Sequence, residues 1–552
     1  MTSFGERIML EGRAMRRIFG DRARINLSSS EFERFIENGN LYVDKTRFIE
    51  HVLDEASSVL LITRPRRNGK SLNLDMLRMF LDCKQDTREL FKGLYIEGSH
   101  AFGRINSAPA IYLSFKDLGR ADYDEVLREI IRKNARKYLR NDQVGESLQP
   151  YLSGTTKASP RALYSLIEDI HEAYGIRPYV LIDEYDKLLM DNISSSEYET
   201  IKEWLKSVFE IALKDNHHLE KGIIVGVSRI SQESLLSGLN NLDVYDVFRP
   251  SAFDGDFSLT EEEACELLDH EQLDAAREWY NNYRVGSLKL YTMYSVLSYV
   301  KNGTLDNYWG MSGSMEMLAY ALNAERVYAI TDLLSDGKEI ETVIERRLSL
   351  RQLKFNEISD GAFYSFAVQA GYLTYELHSK SDIADIYRLK VPNKELARVW
   401  EEFILTKVVR EKHRDLRDIF KRISDTEEFS SNFRDFVSFQ LSSYDMGVEL
   451  EKTYHVLVFG LILGAGYKCS SNRESGYGRY DLWLEGPDFN VIIEFKKARS
   501  ETDDLEKLAD KAIDQINSRK YYAKFPKTVP LYKVGVGCYR TECFVTTVLH
   551  EF

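Results

Sequence analysis

Cysteine is scarce in this 552-residue chain: there are five, Cys83, Cys265, Cys469, Cys538 and Cys543, and no two form a CxxC pair. Odd in number and scattered, they suggest neither a disulfide framework nor a zinc site, and they suit a reducing, cytoplasmic setting. Proline is equally sparse, at 10 residues, while 43% of the chain is hydrophobic and 29% charged, which excludes collagen-like, mucin-like and low-complexity classes and leaves little room for disordered linker. Long apolar runs are missing too. The longest, His455 to Tyr467, contains three glycines and falls short of the roughly 18 to 20 residues of a membrane span, so no membrane association is expected. Nor is there an excess of basic charge: 74 basic against 87 acidic residues give −13, which argues against a coat laid over nucleic acid without forbidding a local basic groove. The N-terminus has arginines at 7, 13, 16 and 17 but no apolar core, and it carries Glu6 and Glu11. Neither a signal peptide nor a transit peptide is expected, and residues 1–25 read as an extra helical arm.

What the chain does have is periodicity. Its length suggests roughly three to four domains, and no repeat of solenoid period is present. Four short apolar runs alternate with helical stretches: Val59 to Thr63, Ala110 to Phe115, Tyr179 to Ile182 and Ile223 to Val227. That alternation predicts an α/β fold, a parallel sheet covered by helices. Thr260 and Glu263 have the spacing of a capping box, and from there to about residue 345 the pattern is mostly helical. A helix near Gly361 to Ala370 and strands at Tyr372 to Glu376 and Ile386 to Val391 come next. A long charged helix, Val399 to Ile423, reads as a solvated linker ahead of a nucleic-acid contact. The last hundred residues read as a helix (Glu449 to Leu463), strands at 467–472, 480–485 and 491–497, a helix at 505–523 and a strand at 534–539, a small α/β domain of its own.

Directly after the first apolar run comes Arg64-Pro-Arg-Arg-Asn-Gly-Lys-Ser71, followed by a stretch of helical spacing. In a phosphate-binding loop, backbone amides at a helix N-terminus cradle the β-phosphate, a lysine neutralises the β- and γ-phosphates, and the adjacent hydroxyl ligates magnesium. Lys70 and Ser71 fit those roles, with Arg67, Asn68 and Gly69 as the loop contacts. The usual pattern has glycine where Arg64 stands. A second piece discriminates: Tyr179-Val-Leu-Ile-Asp-Glu184 is an apolar strand ending in two acids, so Asp183 can hold the magnesium through water and Glu184 can polarise the attacking water. Ser228 and Arg229, after the next strand, fall where such ATPases keep a sensor of the γ-phosphate.

With these residues in place, residues from about 25 to 350 resemble the AAA-ATPase-like family often joined to a PD-(D/E)XK nuclease domain. The stretches that carry the resemblance are Glu37-Asn-Gly-Asn-Leu-Tyr-Val-Asp-Lys-Thr46, Thr63 to Ser71, Leu181-Ile-Asp-Glu-Tyr-Asp186, Gly226-Val-Ser-Arg-Ile230 and Ser237-Gly-Leu-Asn-Asn-Leu242. Absence of the early glycine is normal there, whereas Asn68 replaces the usual aromatic. Trp279-Tyr-Asn-Asn-Tyr-Arg284 is similar to the family's WYxGYR stretch with Asn282 in place of glycine, and Arg284 is open to two readings, a lid arginine that senses phosphate or a surface cation at a helix end.

Near the C-terminus, Arg479-Tyr-Asp481 precedes Ile492-Ile-Glu-Phe-Lys496, which puts Glu494 thirteen residues after Asp481. Side chains two apart in a strand share a face, so Glu494 and Lys496 point together, and a neighbouring strand can set Asp481 opposite them. Two carboxylates suit magnesium or manganese, and a nearby ammonium stabilises phosphorane charge. The order helix, strand, strand with Asp, strand with ExK, helix with Gln515 resembles the PD-(D/E)XK nucleases. The resemblance implies Asp481 and Glu494 as metal ligands, Lys496 as catalytic, Glu451 as an auxiliary metal-binding acid and Gln515 as the group that positions the scissile phosphate.

These readings divide the chain into the arm (1–25), a P-loop ATPase domain of AAA-like type (26–255), a helical lid (256–345), a winged-helix-like segment with linker helix (346–424) and a restriction-endonuclease-like domain (425–552). The expected function is an ATP-binding and hydrolysing module, with ATP and Mg2+ as cofactors, coupled to a Mg2+- or Mn2+-dependent nuclease. Its partner is nucleic acid, DNA ahead of RNA, and a homo-oligomer is compatible with it. Defence against foreign DNA is a conjecture. The rival reading is a nucleotide-controlled nucleic-acid-binding or signalling scaffold that does not cut.

Overall fold

A computed structural model describes residues 18–20, 24–115, 123–156, 159–192, 195–227, 235–310, 339–345, 358–380, 384–408, 413–442, 467–471, 474–475, 478–524, 529–539 and 542–550, with a few positions in 318–334 and 458–462. The chain divides into two compact units. One comprises Met1–Ser314, Val343–Tyr375 and Pro392–Glu395; the other comprises Met315–Thr342, Glu376–Val391 and Leu396–Phe552.

In the first unit the predicted apolar runs are strands: β1 (Val59–Thr63), β2 (Ala110–Ser114), β3 (Tyr179–Asp183) and β4 (Lys221–Gly226). A fifth, β5 (Leu242–Tyr245), was not expected; its Leu-Asp-Val-Tyr sequence is only half-buried, so it lacks the continuous apolar signature of a central parallel strand. The sheet order is β2-β3-β4-β1-β5, all parallel. Because β1, β3 and β4 are buried along their whole length, the loops that leave their C-terminal ends converge at one edge. One of those loops leads into α1 (Lys70–Leu81).

The expected capping box is present at α2 (Glu261–Leu267): Glu263 N–H donates to Thr260 Oγ1 at 3.3 Å, and Thr260 N–H to Glu263 Oε2 at 2.8 Å. Next come α3 (His270–Tyr280) and α4 (Met293–Asn302). The region is less helical than expected, because a hairpin of Tyr283–Val285 and Leu288–Leu290 separates the last two. Ile18 and Phe19, inside the stretch read as a helical arm, instead pair antiparallel with Val43 and Tyr42.

The helix Asp360–Gln369 and a three-stranded sheet of Ile340–Val343, Ile386–Lys390 and Thr374–Ser379 occupy the middle of the sequence. The long charged helix expected at 399–423 is observed as Lys394–Val408 and His413–Lys421. Further on, β6 (Lys468–Ser471), β7 (Leu482–Glu485), β8 (Asn490–Lys497), β9 (Leu531–Tyr539) and β10 (Glu542–His550) form a sheet in sequence order. Only β8 and β9 run parallel. A parallel pair needs a crossover, and α6 (Leu505–Ser518) supplies it, ending short of the expected 523. The strand β10 and a helix before the sheet, α5 (Thr426–Ser442), were not expected. The helix expected over 449–463 lies largely outside the described residues. No described helix is long and apolar enough to cross a membrane.

Candidate functional site

The structure brings two groups of the side chains named from the sequence together, each within its own unit. In the first, β1 runs into the loop 64–69. Gly69 sits at φ +76° as the N-cap of α1, and Arg67 also has positive φ, +63°. A left-handed turn followed by a helix start aims successive amides into one concavity, the geometry of an anion cradle. Lys70 is buried, and its ammonium donates to Arg64 O at 3.1 Å and Pro65 O at 2.7 Å. Burial pulls it down from 10.5 to about 8, against the pull of Asp183, Glu184 and Asp186. Ser71 follows as the second residue of α1.

Arg64 explains the missing glycine. Its side chain is fully buried and turns away from the loop, donating to the carbonyls of Thr63 at 2.8 Å, Tyr245 at 2.9 Å and Phe253 at 3.1 Å, with Asp254 3.7 Å away. The loop is fastened from behind to β5 and the turn after it, which a glycine could not do.

Asp183 ends β3, 1% exposed. Its Oδ2 accepts from the Tyr112 hydroxyl at 3.3 Å, and its Oδ1 is buried with no hydrogen-bond partner among the described residues. A buried carboxylate oxygen left without a donor suits a hydrated cation, so this residue fits the magnesium role. Glu184 departs from the strand at φ +52°, a conformation that non-glycine residues adopt only where the surroundings hold them. Asp186, quoted in the resemblance but given no role from sequence, is buried, and burial followed by the nearby Glu184 pushes it up to about 6. Asn68 is also buried, its Oδ1 without a partner among the described residues. Ser228 and Arg229 lie outside the described residues. Arg284 lies in the hairpin strand Tyr283–Val285, so the reading of it as a helix-end cation does not hold.

In the second group, the register of β7 on β8 pairs Leu482 with Ile493, so Asp481, one step before, faces Glu494. The contacts follow: Phe495 N–H donates to Asp481 Oδ2 at 2.7 Å, and Asp481 N–H to Glu494 Oε2 at 3.3 Å. Lys496 Nζ lies 3.1 Å from Glu494 Oε1, an oxygen that also accepts from Gln515 Nε2. The same Gln515 nitrogen donates to the Tyr521 hydroxyl at 2.9 Å, a neighbour the sequence did not single out as functional. Glu494 is 2% exposed; burial, then the charge of Asp481, pushes it up to about 8 despite Lys496. A desolvated carboxylate beside a like charge favours any partner that brings positive charge, and two hard oxygen ligands fit magnesium or manganese. Gln515 reaches the strand because α6 lies directly on β9: a Cβ on Gly535 would come 2.1 Å from Ala509 O, and one on Gly537 2.2 Å from Leu505 O. Glu451 lies outside the described residues.

The fold and these side chains define an α/β protein with a phosphate-loop ATPase-like domain and a nuclease-type domain. A family model described as predicted AAA-ATPase matches residues 26–236, and that of the PD-(D/E)XK nuclease superfamily matches residues 449–548. The chain carries both domains, in that order. An uncharacterized protein in the vnfD 5′ region of Azotobacter chroococcum mcd 1 is 27% identical over 401 residues, 71% of each chain. Among solved structures, Aeropyrum pernix ORC1 in complex with DNA matches at 12% identity, 70% of this chain and 98% of that one, with a TM-score of 0.26. Aeropyrum pernix ORC2 in its ADPNP-ADP complexes matches at 12% identity, 71% of this chain and all of that one, with a TM-score of 0.30.

Proposed function

We propose that the chain binds and hydrolyses ATP at the 64–71 loop and that its C-terminal domain cleaves nucleic acid, DNA ahead of RNA, with magnesium or manganese. In this reading Lys70, Gly69, Asn68 and Arg67 hold the phosphates, and Ser71 and Asp183 hold magnesium. Glu184, set off the strand by its positive φ, takes the proton of the attacking water. At the other site Asp481 and Glu494 are the metal ligands. Lys496 offsets phosphorane charge, and Gln515 orients the substrate. A divalent ion bound there supplies Lewis acidity to the phosphodiester.

The observation that carries the cleavage half is the shared Glu494 carboxylate: Asp481 opposite it across the strands, with Lys496 and Gln515 both on Oε1. A domain that only binds would have no need of that set. The test is an assay of wild-type protein on DNA and RNA panels with magnesium or manganese, with and without ATP. Asp481→Ala and Lys496→Ala should abolish cleavage and leave ATP hydrolysis within about twofold, because neither touches the phosphate loop. If wild type cuts nothing under any condition, or both variants cut as well as it does, the nuclease assignment fails and the binding scaffold replaces it.

A further inference from the structure

The concavity of the phosphate loop depends on which way its peptide planes face, and one of them is held by a residue far away in sequence. Trp309 is 1% exposed, and its indole Nε1 donates to the carbonyl of Arg66 at 3.2 Å. Its ring meets Tyr372 edge-on, with centroids 4.9 Å apart. Trp309 is fixed in turn by its own N–H, which donates to Glu395 Oε1 at 2.8 Å. Glu395 is fully buried and accepts from the Ser295 hydroxyl, whose Oγ lies 2.9 Å from each carboxylate oxygen. Ser295 lies on α4, whose preceding residue Tyr294 has the Arg67 guanidinium 4.8 Å from its ring centroid.

The described chain has no cis peptide bonds, and in a trans peptide C=O and the following N–H point in opposite directions. A donor that fixes the Arg66 carbonyl therefore also fixes the Arg67 N–H, on the side of the same peptide away from Trp309. Arg67 has φ +63°, a conformation that an unrestrained arginine leaves readily. Lys70 already occupies the carbonyls of Arg64 and Pro65, so the Arg66 carbonyl is the next one along the loop, and Trp309 secures it.

We infer that Trp309, anchored by Glu395 and Ser295, is a positioning residue for nucleotide binding: it holds the Arg66–Arg67 peptide with its N–H facing the phosphates. This rests on the nucleotide reading of the loop and adds to it a residue outside every phosphate-loop motif. The contact is to a peptide that would face the diphosphate portion, so its loss affects ADP and ATP alike.

The experiment measures binding of fluorescent ATP and ADP analogues to full-length wild type, Trp309→Phe and Ser295→Ala, beside the nucleotide-free thermal midpoint of each. Phenylalanine keeps a ring against Tyr372 and removes the N–H. The expected result is affinity about five- to tenfold weaker for both nucleotides in Trp309→Phe and about two- to threefold weaker in Ser295→Ala. Nucleotide should also protect the Arg67 amide from hydrogen exchange less in the variants than in wild type. Wild-type affinity in both variants overturns the inference. So does a lowered midpoint with unchanged affinity, which would make Trp309 a packing residue only. Should Trp309→Phe fail to fold, the Ser295→Ala affinity decides. A wild type that binds no nucleotide is a different result: it refutes the nucleotide reading and takes this inference with it.

Discussion

Glu395→Gln should change how stability responds to pH, and the structure fixes the sign. The carboxylate is fully buried; burial pushes it from 4.5 up to about 7, against the stabilising hydrogen bonds from Trp309 and Ser295. Between those two values the native protein binds a proton that the unfolded chain has released. Stability therefore falls as pH rises through the window, at up to about 1.4 kcal/mol per pH unit, and the loss is complete, at about 3 kcal/mol, above pH 7. Glutamine keeps the shape and one acceptor oxygen but never ionises. The difference between variant and wild type should be flat below about pH 4.5, move by about 3 kcal/mol in favour of the variant between pH 4.5 and 7, and level off above. Urea unfolding of both proteins from pH 4 to 8, followed by tryptophan fluorescence, measures it, and taking the difference cancels every group the two share. A difference independent of pH, or one that moves against the variant as pH rises, would refute the assignment of a desolvated, proton-binding Glu395.

Three further outcomes are expected. Lys70→Ala should lower nucleotide affinity at least 100-fold in a fluorescent-nucleotide titration, since a buried triphosphate would lose its nearest cation. Glu184→Gln should bind ATP as wild type does but hydrolyse it about 100-fold or more slowly in a phosphate-release assay, because the amide keeps the shape and loses the base. Gly535→Ala would set a methyl 2.1 Å from Ala509 O, so α6 must move off β9; a melt of the C-terminal domain should show a loss of about 2 kcal/mol or more, and cleavage should fall as Gln515 leaves Glu494.

The parts legible in the sequence are those where one rule acts alone. Fully buried parallel strands write themselves as apolar runs, so Val59–Thr63 and Tyr179–Asp183 could be read directly, and the local exchange at Thr260 and Glu263 was visible in four residues. Alternation put Glu494 and Lys496 on one face, the order of elements that resembles the PD-(D/E)XK nucleases added Asp481, and the register of β7 on β8 sets Asp481 opposite Glu494. What stayed hidden depends on tertiary context. The strand Leu242–Tyr245 carries an aspartate and lies at the sheet edge, so no pattern marks it. The hairpin at 283–290 sits in a stretch whose composition reads as helix. What Arg64 does in place of the usual glycine stayed hidden because two of the three carbonyls it serves, those of Tyr245 and Phe253, lie 181 and 189 positions away. Glu395 and Trp309 belong to no motif at all; only the folded chain brings them together.

The buried Arg64 has a practical consequence for dissecting the chain. Two of its acceptors, the Tyr245 and Phe253 carbonyls, and the whole of β5 lie beyond residue 236, where the family match ends. A fragment cut at that match would keep every residue proposed to hold phosphate, yet leave a guanidinium sealed inside with two of its three carbonyl acceptors gone and expose the flank of β1 that β5 covers. An unpartnered buried cation and a bare central strand both favour misfolding and aggregation. An insoluble or inactive 26–236 fragment would therefore say nothing against ATP binding by the intact protein; a fragment meant to test it should extend past residue 255.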